Sequence, residues 1–151
     1  MTMATPMATP GEKIPEARVL VVDDEANIVE LLSVSLKFQG FEVATASNGA
    51  QALDRAREAR PDAVILDVMM PGMDGFETCA KIRETALNRA TPVVFVTSLG
   101  DFDVRAKAGS NGGDDLMGKP FLTSEINVKA LTFALRGRLQ ELISRQIEVA
   151  G

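Results

Sequence analysis

The 151-residue chain contains no histidine. That absence excludes a Ser-His-Asp triad, a His-ligated zinc site, a histidine kinase core and a His-phosphotransfer domain. There is one cysteine, Cys79, so no internal disulfide forms and the usage fits a reducing cytoplasm. A small core-facing thiol on a helix is expected there rather than a reactive one. No apolar run approaches the ~20 residues that span a bilayer. The opening MTMATPMATPGEK lacks the apolar stretch of a secretory signal. Its doubled MATP reads as a disordered leader over 1–15, or a remnant of expression. No window concentrates basic residues, and the formal net charge is −5. Both argue against this chain gripping nucleic acid through phosphates.

What is present describes one ordinary domain, with 46% hydrophobic and 25% charged residues. Arg18–Val22 (RVLVV) is a continuous apolar run, as in a strand buried on both faces. Ile28, Leu31, Leu32, Ser35 and Leu36 then recur at helical spacing within Glu25–Gln39, and Gly40 follows as a stop. Phe41–Thr45, Ala63–Leu66 and Pro92–Val96 read as further strands, with Asp114–Met117 a short fifth. Between them fall a helix capped by Asn48, one from Gly75 to about Ala86, and a short one over Asp101–Ala108. A long helix begins near Leu122, with Thr123 or Ser124 as cap, and runs towards the last residues. Alternating strands and helices indicate a doubly wound α/β domain with a parallel sheet.

In such sheets ligands sit outside the carboxyl ends of the strands. Here those ends carry Asp23 and Asp24, then Asp67, Thr97 and Lys119. With strand order 2-1-3-4-5, all of them converge on one crevice. Three carboxylates and one ammonium leave that crevice net negative, and close like charges resist joint ionisation. A divalent cation removes the difficulty, and carboxylate, carbonyl and water oxygens suit Mg²⁺. An acid-lined site open on one side suits phosphoryl transfer, with Asp67 as nucleophile, Lys119 as a fixed positive charge and Thr97 as a hydroxyl donor.

The motifs VVDDE (21–25), ILDVMMPGMDG (65–75), VTS (96–98) and GKPF (118–121) resemble the receiver domain of two-component response regulators, the CheY-like fold. The resemblance covers about residues 17–135. It implies a five-stranded parallel sheet with five helices, a receiver over 16–135, and an extension of the C-terminal helix over 136–151. It implies that Asp67 is the phospho-acceptor. Asp24, Asp67 and the Met69 backbone carbonyl would bind Mg²⁺ (or Mn²⁺), with Asp23 acting through metal-bound water. The Lys119–Pro120 peptide would be cis. The implied partners are a sensor histidine kinase or His-phosphotransfer protein and a downstream effector. The implied chemistry is self-catalysed phosphorylation and dephosphorylation, not a conventional enzyme activity. The switching surface would be the helix 4, strand 5 and helix 5 face. Residues 16–76 are similar to PhoP-type winged-helix transcription regulators.

The sequence departs from the family pattern in two places. Leu116 stands where the family usually has Tyr or Phe, so the usual exchange between Thr and an aromatic ring lacks its ring. KAGSNGGDD is glycine-rich and is expected to be mobile. The weaker likeness after Phe76 fits natural divergence or a hybrid, and natural divergence is the reading adopted. Val128, Leu131, Leu135, Leu139, Leu142, Gln146 and Val149 follow 3/4 spacing, the pattern of a coiled-coil seam, and read as a dimerising or signal-transmitting helix. The alternative is that the first half of this helix packs on the sheet and its tail is solvated. Gly137 is expected to weaken the middle of the helix by ~1 kcal/mol. The chain reads as a stand-alone regulator or as the receiver portion of something larger. A haloacid-dehalogenase-type phosphatase would need a second Asp two residues after its nucleophile, and VVDDEAN fails that spacing. A pseudo-receiver would lose an acid or the lysine, and none is missing.

Overall fold

Every apolar run of the sequence becomes a strand, because parallel strands covered on both faces have no wet side on which to place polar residues. In the computed structural model, which describes residues 17–85, 90–98, 110 and 112–150 (backbone alone for 140, 141 and 144–150), the strands are β1 (Arg18–Val22), β2 (Glu42–Ala46), β3 (Ala63–Asp67), β4 (Val93–Thr97) and β5 (Asp115–Gly118). They form one parallel sheet in the order β2-β1-β3-β4-β5. The helices are α1 (Ala26–Phe38), α2 (Gly49–Ala59), α3 (Gly75–Glu84) and α4 (Thr123–Ala150). The helix expected over Asp101–Ala108, residues 107–109 and 111 of the segment expected to be mobile, and the leader all lie outside the described residues.

β2, β4 and β5 each sit one residue later than the apolar runs suggest. The ladder decides this: Val22 pairs with Ala46 and Thr97 with Gly118, while Pro92 has no N–H to contribute. The shift draws Thr97 into the sheet beside the segment that carries Lys119.

The sheet divides the core into two layers. On one face Val19, Val21, Ile65, Val94 and Val96 pack with Leu32 and Leu36 of α1 and with Ile126, Ala130 and Ala134 of α4. On the other, Leu20, Leu66 and Phe95 pack with Ala52 and Ala56 of α2 and with Cys79 and Ile82 of α3. A fully buried Val or Leu contributes about 1.5–3 kcal/mol, so these alternating strand residues supply most of the driving force. Cys79 is the core-facing thiol expected, and its burial pushes the pKa up to about 11.

Helix ends follow local chemistry. The Asn48 side chain accepts from Gln51 N at 2.8 Å, and Asp74 from Glu77 N at 2.9 Å. Gly40 takes φ +98° just past α1, the left-handed geometry that glycine adopts most readily. α4 starts differently from expectation. The Leu122 carbonyl accepts from Glu125 N and Ile126 N, so Thr123 is already helical and neither it nor Ser124 is the cap.

Gly137 is not a weak point. A Cβ there would stand 2.5 Å from the Asp62 carbonyl oxygen and 3.3 Å from Pro92 Cδ. Glycine lets α4 pass directly over the entry to β3 and β4. The crossing is fastened by Arg138 Nε to Asp62 Oδ1 at 3.3 Å and by the Arg136–Asp114 ion pair.

Candidate functional site

β1 and β3 are neighbours with Val22 level with Leu66, so the next residues, Asp23 and Asp67, emerge side by side. Carboxylate oxygens of Asp23, Asp24 and Asp67 lie within 4.8 Å of one another. Asp23 and Asp67 are each 3% exposed, whereas Asp24 faces solvent. Lys119 Nζ reaches across from the end of β5 to Asp23 Oδ2 at 2.9 Å and to Asp67 Oδ1 at 3.4 Å. Thr97 is buried at the end of β4, one residue beyond the Val96 that pairs with Asp67, and its carbonyl accepts from Lys119 N at 2.7 Å.

The electrostatics are unbalanced. Burial first, then the Asp23 charge, raise the Asp67 carboxyl from 3.8 to about 7. The Lys119 charge and the Met69 N–H, 3.4 Å from Asp67 Oδ1, pull the other way. For Lys119, partial burial opposes the charge. The hydrogen bond to Asp23 and the charges of Asp67, Asp23 and Glu25 outweigh it and hold the ammonium above its ordinary range. A carboxyl raised by burial and by a neighbouring charge is what a divalent cation corrects, because the cation rewards the ionised form. Three converging carboxylates fit a hard cation with oxygen ligands.

The remaining predicted residues fall close by. Met69 follows Asp67 on the connecting loop, with its side chain exposed. The Lys119–Pro120 peptide is cis. Leu116 pairs with Phe95 and packs, partly buried, into the core layer that also holds Phe76. Phe76 and Phe95 meet edge to face at 5.1 Å.

Two residues of the site were not singled out by the sequence reading. Glu25 places Oε1 3.4 Å from Lys119 Nζ, and its N–H donates to Asp23 Oδ1 at 2.9 Å. The third acid in VVDDE was its signal. Gly75 opens α3 against the end of β3, and a Cβ there would overlap the Asp67 carbonyl oxygen. Its signal was the Asp-Gly pair that closes ILDVMMPGMDG.

The family model for the response regulator receiver domain matches residues 19–131. The transcriptional regulatory protein ResD of Bacillus subtilis is 42% identical over 77% of this chain and 48% of its own length. The alkaline phosphatase synthesis transcriptional regulatory protein PhoP of the same organism is 37% identical over 81% of this chain and 50% of its own. The chain therefore spans about half the length of these curated relatives. The chemotaxis protein CheY4 of Vibrio cholerae superposes with a TM-score of 0.74 at 34% identity, over 78% of this chain and 97% of its own. Topology, acid cluster and matched span agree, and the chain belongs to the response regulator receiver domain family.

Proposed function

We propose that Asp67 accepts a phosphoryl group from a phosphohistidine on a sensor histidine kinase or His-phosphotransfer protein. The observation that carries this is the placement of Asp67, buried at a strand end within 4.8 Å of two further carboxylates and 3.4 Å from the Lys119 ammonium. An Asp67 carboxylate oxygen bonds to phosphorus as the phosphorus–nitrogen bond of the donor breaks. The imidazole keeps the electron pair of that bond. Lys119 is placed to meet the charge that develops on the phosphoryl oxygens, and the Thr97 hydroxyl to donate to one of them. Asp24, Asp67 and the Met69 carbonyl would hold Mg²⁺, with Asp23 acting through water. The ion supplies neutralisation of the phosphoryl oxygens and keeps Asp67 ionised.

Phosphorylation exchanges one negative charge at Asp67 for nearly two. With Leu116 in place of an aromatic ring, the response falls on residues 99–113, which follow Thr97, and the signal passes to a downstream effector. The receiver occupies 16–135 in a cytoplasmic protein, and 136–151 extends the last helix. The exposed residues Leu131, Leu135, Leu139, Leu142 and Ile143 form a stripe that supports self-association through α4. Incubation with Mg²⁺ and acetyl phosphate, followed by intact mass measurement, tests the central step. Wild type gains one phosphoryl mass and Asp67→Asn gains none; undiminished labelling of that variant at another residue would sink the assignment.

A further inference from the structure

Among the described residues β2 ends the sheet, paired with β1 on one side and with no strand on the other. Glu42 N donates to the Ala17 carbonyl at 2.9 Å, and the Ala46 carbonyl accepts from Asp23 N at 3.2 Å. Glu42, Ala44 and Ala46 are therefore the residues bonded to β1, and the alternation turns the N–H and C=O groups of Val43 and Thr45 outward. The edge is unguarded. Its sequence, EVATA, has no proline or lysine to block pairing, and Thr45 is exposed. Depressions lie at both ends of it. One of about 470 Å³ adjoins Asp24, Ser47 and Gln51, and one of about 300 Å³ adjoins Arg18 and Glu42.

We infer that residues 3–10, the doubled MATP of the leader, add to this edge as an antiparallel strand. The occupant follows from where the leader joins the sheet. It enters at Ala17, whose carbonyl holds Glu42 N, so a leader that folds back runs opposite to β2 along its outer side. Residues 11–16 reach up to ~20 Å, and the outer side of β2 lies only ~10 Å from β1, two strand spacings away. Residues 3–10 then extend ~27 Å, enough to cover the ~17 Å of β2. The prolines keep one phase. Pro6 and Pro10 stand four positions apart, so in a strand both turn the side that lacks an N–H in the same direction. With that side towards solvent, as prolines of edge strands require, Thr5, Met7 and Thr9 turn their N–H groups to β2. A short tether holds the leader at an effective concentration on the order of millimolar, so a few ladder bonds suffice. At its far end the added strand covers the depression beside Asp24 and walls the acid crevice on the β2 side.

The test is amide hydrogen exchange of the full chain, resolved residue by residue by NMR. The Met7 and Thr9 amides are expected to exchange at least tenfold more slowly than in an unstructured peptide. Met7→Pro and Thr9→Pro each remove a donor that faces β2, and each should speed exchange at Val43 and Thr45 at least tenfold. Ala8→Pro falls in the phase of the natural prolines and should leave both amides unchanged. Met7 and Thr9 amides that exchange at the unstructured rate overturn the inference, as do equal effects of Met7→Pro and Ala8→Pro. Protection of Val43 and Thr45 that rises with protein concentration and survives Met7→Pro belongs to a second copy at this edge and overturns the leader as its occupant.

Discussion

At the scale of single residues, adjacent acids with the same side chain have different surroundings. Asp23 is buried and engaged by Lys119 and by Glu25 N, whereas Asp24 is exposed beside it. Truncating Asp23 removes the nearest partner of a partly buried ammonium and opens a turn; truncating Asp24 removes an exposed carboxylate. Asp24→Ala should therefore lose more Mg²⁺ affinity, and Asp23→Ala more stability, by about 1–3 kcal/mol. Metal titration and urea denaturation of both variants check the crossing, and equal losses in both assays would show that direct and indirect roles are wrongly divided. Asp67 was legible because Asp23, Asp24, Thr97 and Lys119 stand at or just past the ends of the other strands on its side of the sheet. Glu25 was not, since its reach to Lys119 spans 94 positions that local pattern does not connect.

At the scale of elements, periodicity located the helices but not their buried arcs. Leu31 and Leu32 both satisfied helical spacing, yet only Leu32 is buried, because one helix touches the sheet along a limited width. Gly137 was misread for a related reason. Helix propensity is a property of the isolated element, whereas the carbonyl 2.5 Å from its absent Cβ belongs to the residue before β3. Gly137→Ala is the sharp test. Propensity alone predicts a gain of about 1 kcal/mol, and overpacking against a backbone atom predicts a net loss of about 1–3 kcal/mol. A lower urea midpoint is expected; a raised one would mean that α4 shifts aside freely.

At the scale of the whole molecule, sheet order was legible because four motifs at four strand ends require those ends to be neighbours. The charge balance of the assembled site has a consequence for stability. Without metal, Asp67 holds its proton to about pH 7 when folded but releases it near 3.8 when unfolded. Between those values the folded state binds more protons, so stability falls as pH rises, by on the order of 2–4 kcal/mol. Urea midpoints in EDTA at pH about 5 and about 7.5 should show this fall; Mg²⁺ should reverse it at the higher pH, and Asp67→Asn should flatten it. A midpoint that rises equally with pH in both proteins would contradict it.

Asp114 shows what the other end of the sheet does. Its carboxylate accepts from Val93 N at 2.8 Å and from Arg83 of α3 at 3.0 Å, and pairs with Arg136 of α4. One side chain thus bolts a helix from each layer to the edge of β4, and Asp62 joins the backbone N–H of Arg18 in β1 to Arg138 of α4. The domain is clamped at the end where its strands begin, opposite the end that carries the acids. A change of charge at the acids therefore acts far from these clamps, which hold the strand entries as a fixed base.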